Sequence, residues 1–371
     1  MTLQSTFTLR RVGIRLAEGI DQTLLLLMLT LSLLGLAALY SAAYENPVRI
    51  VNQLASLGVA LAAMWIEAQI PPQTLMRCAL PAYVVALAFL VAVALFGDVV
   101  NGAKRWLHVG VTRFQPSEMM KLALPLVLAW YFHKNESALR LRDFAMAALL
   151  VAVPVALIAR QPDLGTAALV AAAGFYVIFF AGISWRILIG LTVLFAVSLF
   201  PLWNHMRDYQ KKRVLTLLDP TTDPLGAGYH IIQSTIAVGS GGIAGKGWLN
   251  GTQSHLEFIP ERHTDFIFAV YSEEFGLIGN MLLLVLYALL IGRGLVIASG
   301  AATIFARLMA GAIALMFFTY AFVNMGMVSG ILPVVGVPLP FLSYGCTALL
   351  TLFIGAGILM SVQRHRKLVQ T

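Results

Sequence analysis

The chain has 371 residues, 59% of them hydrophobic and only 11% charged, with a net charge of +8. A soluble domain carries about 25% charged residues, so a mean hydropathy of +0.84 excludes a water-soluble globular protein. The basic excess does not point to nucleic acid, because Lys and Arg gather at the ends of apolar runs and in loops, where lipid headgroups and diphosphates are the natural counter-ions.

A membrane-spanning helix needs roughly 20 apolar residues. In chain order the segments 22–42, 51–68, 78–97, 117–133, 144–160, 164–183, 185–204, 265–292, 305–328 and 343–363 meet that demand. They predict an all-α polytopic membrane protein with ten transmembrane helices, one membrane domain over 1–371. Arg10, Arg11 and Arg15 precede the first span, and Arg364, Arg366 and Lys367 follow the last. By the positive-inside rule both ends are expected in the cytoplasm, which an even span count requires, and the basic 133–143 loop agrees. Two loops assigned to the outer side break the rule. One is 98–116, with Lys104, Arg105 and Arg113; the other is 205–264, with Arg207, Lys211, Lys212, Arg213, Lys246 and Arg262. The longer one, a large extracytoplasmic loop between spans 7 and 8, is the only sizeable soluble piece and reads as short helices and turns. The shorter is a true exception, and exceptions suggest function. Residues 1–43, with Ser41-Ala42-Ala43, also resemble a secretory leader, but nine further spans need none. Cys78 and Cys346 fall at opposite faces, so no disulfide is expected between them. The acceptor-like Asn250-Gly251-Thr252 is too short a match to carry weight.

Ionisable residues then mark candidate chemistry. Lys104 and Arg105 beside Trp106 suit phosphate at headgroup level, or plain interfacial anchoring. Pro116 and Ser117 open a helix on which Glu118 and Lys121, three residues apart, share a face and can pair. Asp163 either caps the following helix or faces the same cavity as Glu118. The glycine-rich run 239–247 lacks the phosphate-loop spacing, so its glycines are expected to permit turns or close backbone approach, with Lys246 a possible diphosphate contact. The strongest constellation runs from Glu257 to Phe268, where Glu261, Arg262, His263 and Asp265 converge just before a long apolar helix. Thr264 or Asp265 could simply cap that helix, but capping does not explain why acid, base and imidazole meet there. Glu273 and Glu274 follow inside the same apolar segment, Glu273 roughly 12 Å deeper than Asp265 on one continuous helix; they face a cavity or pair with a neighbouring base. Finally Pro333, Pro338 and Pro340 with Gly330 and Gly336 forbid a regular helix before Ser343-Tyr344-Gly345. That stretch is either a re-entrant loop bordering a substrate path or a structural kink.

Lys104-Arg105-Trp106, Phe114 to Glu118, Gln161 to Thr166, Asp219-Pro220, Gly226 to Tyr229 with Gln233-Ser234, Pro260 to Phe266 and Gly330 to Gly345 together resemble the SEDS family, closest to its rod-shape-determining branch, in order over nearly the whole chain. One departure is Cys346, where the family usually has a second glycine. The resemblance implies ten spans with both ends cytoplasmic in the inner membrane. It also implies peptidoglycan glycosyltransferase activity on lipid II during cell elongation, a divalent cation (Mg²⁺ or Mn²⁺), and a class B penicillin-binding protein as partner. Asp265 matches the family's essential aspartate and is expected to be catalytic. Lys104, Arg105, Glu118, Lys121, Asp163, Arg213, Lys246, Glu261, Arg262, His263 and Ser343 are expected around the substrate. A lipid II flippase is the alternative, since intramembrane charges and a proline-broken segment also suit translocation, and a scaffold of the elongation machinery is a third.

Overall fold

The computed structural model describes residues 19–43, 46–100, 103–109, 112–136, 139–205, 208–223, 226–256, 258–259 and 261–366. Helices stand at all ten predicted places: α1 Gln22–Ala42, α2 Pro47–Gln69, α3 Pro72–Phe96, α4 Pro116–Lys134, α5 Leu141–Arg160, α6 Leu164–Phe180, α7 Trp185–His205, then, after the loop helices, α11 Ile267–Ser299, α12 Ile304–Val328 and α13 Cys346–Arg364. The loop helices are α8 Asp208–Leu218, α9 Ala227–Ser240 and α10 Thr252–His255. The two starts that lie furthest ahead of the hydropathy pattern are at Pro47 and Pro72, because proline costs no hydrogen bond in a first helical turn.

By length and composition alone, seven described helices can cross a membrane: α1, α2, α3, α5, α11, α12 and α13. Of the other three, α6 is 17 residues long and α7 counts only through the shorter apolar stretch Trp185–Ser198. Helix α4 carries Glu118, Lys121, His133 and Lys134 yet is buried along most of its length, packed by α3, α6 and α12. A helix shielded by protein does not need the hydropathy that lipid demands. The opposite pattern marks the periphery, where Val48, Val51 and Ile66 of α2, Val84 and Leu95 of α3 and Leu149 of α5 are exposed apolar side chains that only lipid would cover.

The expected all-helical fold has one exception among the described residues. The basic 98–116 loop forms a small antiparallel meander, β1 Asp98–Val100, β2 Ala103–Val109 and β3 Thr112–Phe114, with Asp98 paired to Trp106 and Leu107 to Phe114. It delivers Arg105 and Trp106 on a strand rather than on a mobile linker, directly ahead of α4.

Helix α11 is broken at Gly276, whose φ of 62° and ψ of −159° end the first run. Every residue from Ile267 to Glu274 is buried, whereas Leu277, Ile278, Met281 and Leu282 beyond the break are exposed. The initial segment therefore lies inside protein and the remainder borders the outside of the bundle. This corrects the expectation of one unbroken helix running inward from Asp265: the helix begins at Ile267, after that residue. The glycine-rich run heals the break. Leu277 and Ile278 donate backbone N–H to the carbonyls of Gly242 and Ile243 (2.9 and 3.1 Å), while Lys246 and Gly247 donate to those of Glu273 and Glu274 (both 3.0 Å). Four of the groups that the break would orphan are thus satisfied, as a lipid-embedded chain requires of its backbone. A Cβ on Gly245 would sit 2.0 Å from the carbonyl oxygen of Glu274, and its φ is +79°. These glycines are therefore a backbone patch, as close approach predicted. Cys78 and Cys346 are both free.

Gly245→Ala should lower stability by about 1–3 kcal/mol from backbone strain alone, with more from the clash, read as a lower unfolding midpoint in detergent. Gly190→Ala, on α7 with open space around it, should leave the midpoint nearly unchanged.

Candidate active site

The turn 261–266 is anchored through its backbone. Three consecutive carbonyls each accept a donor from far along the chain: His263 from the Tyr344 N–H (2.9 Å), Thr264 from the Ser343 hydroxyl (2.7 Å) and Asp265 from the Asn324 amide (2.8 Å). Ser343 Oγ also accepts from the Leu339 N–H at 2.7 Å, and Asn324 donates a second time to the Val337 carbonyl at 2.7 Å. Gln53 of α2 clamps the far end, donating to the Ser343 carbonyl and accepting from the Gly345 N–H (3.2 and 3.3 Å). The proline-rich stretch 330–345 is thereby a fixed loop against the turn, as a loop bordering a path would be. Gly336, with φ +72°, passes so close that an added Cβ would lie 3.2 Å from Asp265 Oδ2.

Two adjoining cavities meet at this loop. One, of about 270 Å³, is lined by Asp265, Thr264, Ser343 and Tyr344 together with Trp106, Leu339, Phe341 and Leu352. The other, of about 190 Å³, is polar and lined by Arg105, Gln115, Glu118, Lys121, Asp163 and Thr166. Trp106, Pro338 and Ala348 border both. Together they reach the roughly 300–1,000 Å³ of ordinary ligand sites. A larger apolar groove of about 360 Å³ between α11 and α12, lined by residues such as Leu284, Phe318 and Met325, offers no carboxylate, amine or imidazole.

Asp265 is partly exposed, with its carboxyl pushed up to about 6. Burial is the main cause; the neighbouring Glu261 and the more distant Asp163 add to it, and Arg105 opposes it. Asp163 serves both readings proposed for it. It accepts from the Thr166 N–H (3.1 Å) as the cap of α6, and it also faces the polar cavity, where Arg105 Nε stands 3.5 Å from Oδ2 and Gln115 donates to the same oxygen at 3.4 Å. Arg105 is steadied by the Pro162 carbonyl at 3.1 Å. Lys121, almost wholly buried, donates to Glu118 Oε1 at 2.6 Å and to the Tyr320 hydroxyl, with its ammonium 4.9 Å from that ring's centre. The second oxygen of Glu118 is buried with no protein hydrogen-bond partner.

Asp265, Arg105, Glu118, Lys121, Asp163 and Ser343 are thus gathered around one site. Ser343 has its hydroxyl engaged by backbone, so it braces the loop rather than offering a free group. Lys246 is not brought there: its ammonium pairs with the fully buried Glu273 at 2.6 Å and with Thr252 at 2.8 Å. That pairing, from a loop, also answers what Glu273 faces, while Glu274 is hydrogen-bonded by Ser41. Arg262 donates to the Ala42 carbonyl at 3.0 Å, and neither it nor His263 lines either cavity. Glu261 is exposed and accepts from Thr264, reaching Asp265 only through its field. The side chains of Lys104 and Arg213, and residues Glu257 and Pro260, lie outside the described residues. Sequence reading missed Tyr320, Asn324 and Gln53. Each is a polar group inside an apolar run, and that alone is a functional signal.

Removing the Lys121 ammonium while keeping Glu118 leaves a buried carboxylate unpaired, so Lys121→Met should cost about 3–5 kcal/mol, measured by unfolding in detergent. The double variant Lys121→Met with Glu118→Gln should recover much of that loss.

A family model described as "Cell cycle protein", FTSW_RODA_SPOVE, matches residues 21–368. The chain is 51% identical over 352 residues to the peptidoglycan glycosyltransferase MrdB of Escherichia coli K12, covering 94% of this chain and 95% of that one. A solved chain from work on structural coordination of polymerization and crosslinking by a peptidoglycan synthase complex superposes with a TM-score of 0.82 at 36% identity, over 94% of this chain and 99% of its own. The rod shape determining protein RodA of Thermus thermophilus superposes with a TM-score of 0.72 at 32% identity, over 94% and 97%. The motifs, the helical bundle and these likenesses agree, and the chain belongs to the SEDS family, that of FtsW, RodA and SpoVE.

Proposed function

We propose that this chain is a peptidoglycan glycosyltransferase that polymerises lipid II into β-1,4-linked glycan strands at the outer face of the inner membrane during elongation. The reading rests chiefly on one observation: a carboxylate with raised proton affinity opens into one cavity while two cations, Arg105 and Lys121, line the next. In this reading all ten long helices span, both termini are cytoplasmic, and 205–264 forms the large outer loop within a single membrane domain. The partner is a class B penicillin-binding protein that crosslinks the strands, in keeping with the synthase complex to which the fold is similar. A flippase reading gains nothing specific from the site.

The transfer needs a base, an exposed anomeric carbon and a stabilised leaving group. Asp265 takes the proton of the acceptor sugar's 4-hydroxyl as that oxygen attacks the donor's anomeric carbon. The bond from that carbon to the diphosphate breaks, and its electron pair leaves with the diphosphate. Attack from the face opposite the leaving group inverts the α-linked donor to the β product. Arg105 and Lys121 would neutralise the departing oxygens. A partly buried carboxyl near 6 suits this duty, since a catalytic base works best with a proton affinity near the operating pH.

Among the described residues no three His, Cys, Asp or Glu side chains form a metal cage. The donor set instead fits a hard cation that takes one or two carboxylates and completes its shell with substrate phosphate and water. Asp163 is committed to Arg105 and Asp265 is kept for the proton, so the unbonded oxygen of Glu118 is the carboxylate on offer for Mg²⁺ or Mn²⁺. When bound, such an ion would add positive charge beside the diphosphate.

In purified protein given lipid II, Asp265→Asn should fold and make no polymer; near-parental polymer would remove the base assignment. The parental rate should rise with pH through about 6, because the base must be ionised. An acid limb at the ordinary carboxylate value, about 4, would contradict a desolvated base.

A further inference from the structure

We propose that Asn324 is a positioning residue for glycosyl transfer, its forked amide fixing the Asp265 carboxylate against the loop that walls both cavities. This rests on the reading of Asp265 as the base. Asp265 precedes α11, so no intrahelical bond holds its carbonyl; the Asn324 amide does, at 2.8 Å. The same nitrogen reaches the Val337 carbonyl at 2.7 Å. Val337 follows Gly336, the residue packed against Asp265 Oδ2. One side chain therefore sets the backbone on which the carboxylate is carried and the loop against which it rests. Both acceptors are carbonyls, so the nitrogen is the atom that must point at them.

Asn324 is completely buried near the C-terminal end of α12, four residues before Val328, and its Oδ1 has no hydrogen-bond partner. An amide is an expensive group to bury there for packing alone. Tyr320, one helical turn earlier, hydrogen-bonds Lys121 of the polar cavity. A single face of α12 thus braces the proposed base and the cation that would meet its leaving group. Ser343 ties the adjacent Thr264 carbonyl to the Leu339 N–H, whereas Asn324 joins the Asp265 carbonyl itself to the loop at Val337 through one nitrogen.

The test compares full-length Asn324→Leu and Asn324→Ser with the parent and Asp265→Asn, purified and assayed on lipid II across pH. A misplacement near 1 Å can lower rates about 100-fold, so kcat of Asn324→Leu should fall by about that factor while KM stays within about twofold. The acid limb should also move downward, because a loosened turn admits water and relieves the desolvation of Asp265. Asn324→Ser, retaining a small donor, should fall between; if Asn324→Leu does not fold, the serine variant decides alone. Parental kcat, a raised KM with kcat kept, or a lower kcat with an unmoved limb would each overturn the proposal. Polymer from Asp265→Asn would instead remove the base reading, whereas an inactive Asp265→Asn beside parental Asn324 variants would remove only the positioning role.

Discussion

Backbone groups cut off from water need partners from within the protein, and the turn 263–265 meets that demand with three carbonyls in a row, each held by a residue 59 to 81 positions away in sequence. The rest of the site depends on this stitching. The turn precedes a helix and has no periodic hydrogen bonding of its own. Without donors from α12 and the proline-rich loop, the carboxylate of Asp265 would have no fixed place relative to either cavity. Proline makes the arrangement possible, because a loop that cannot close into a helix leaves its N–H groups and side chains free to bond elsewhere.

The same logic explains the broken helix behind the site. A continuous α11 would deny the glycine-rich run the backbone partners it finds at the break. Breaking at Gly276 keeps the segment 267–274 buried, lets the glycine-rich run restore the lost bonds, and encloses Glu273 with Lys246. The ion pair Glu118–Lys121 plays a comparable part on the other side, holding charge inside α4 at a point where lipid could not. The protein concentrates its ionisable groups where other protein shields them and leaves aliphatic side chains at the periphery.

Much of this was legible in the sequence. The positions of all ten long helices followed from hydropathy, and the polar cluster ahead of α11 followed from the cost of placing Asp265 beside an apolar run. The Glu118–Lys121 pair followed from helical spacing. What stayed hidden was long-range. Nothing local tells that Lys246 answers Glu273 rather than a diphosphate, because that pairing depends on a loop docking into a helix break. Nor does a local pattern show that Ser343 spends its hydroxyl on backbone. The 98–116 segment reads as a basic loop because two of its three strands span three residues each, too few for an alternation to stand out. Asn324 and Tyr320 sit inside a run whose apolar character drowns single polar residues, although a polar group at that depth is itself the clue.

The account turns on where the acceptor sugar meets Asp265. The most direct measurement is a structure of the protein with lipid II bound and the reaction stalled by Asp265→Asn. The account predicts the acceptor 4-hydroxyl within hydrogen-bond reach of residue 265, with the donor's diphosphate toward Arg105 and Lys121. Lipid II seated with its sugars outside both cavities, or with residue 265 against the diphosphate alone, would contradict it.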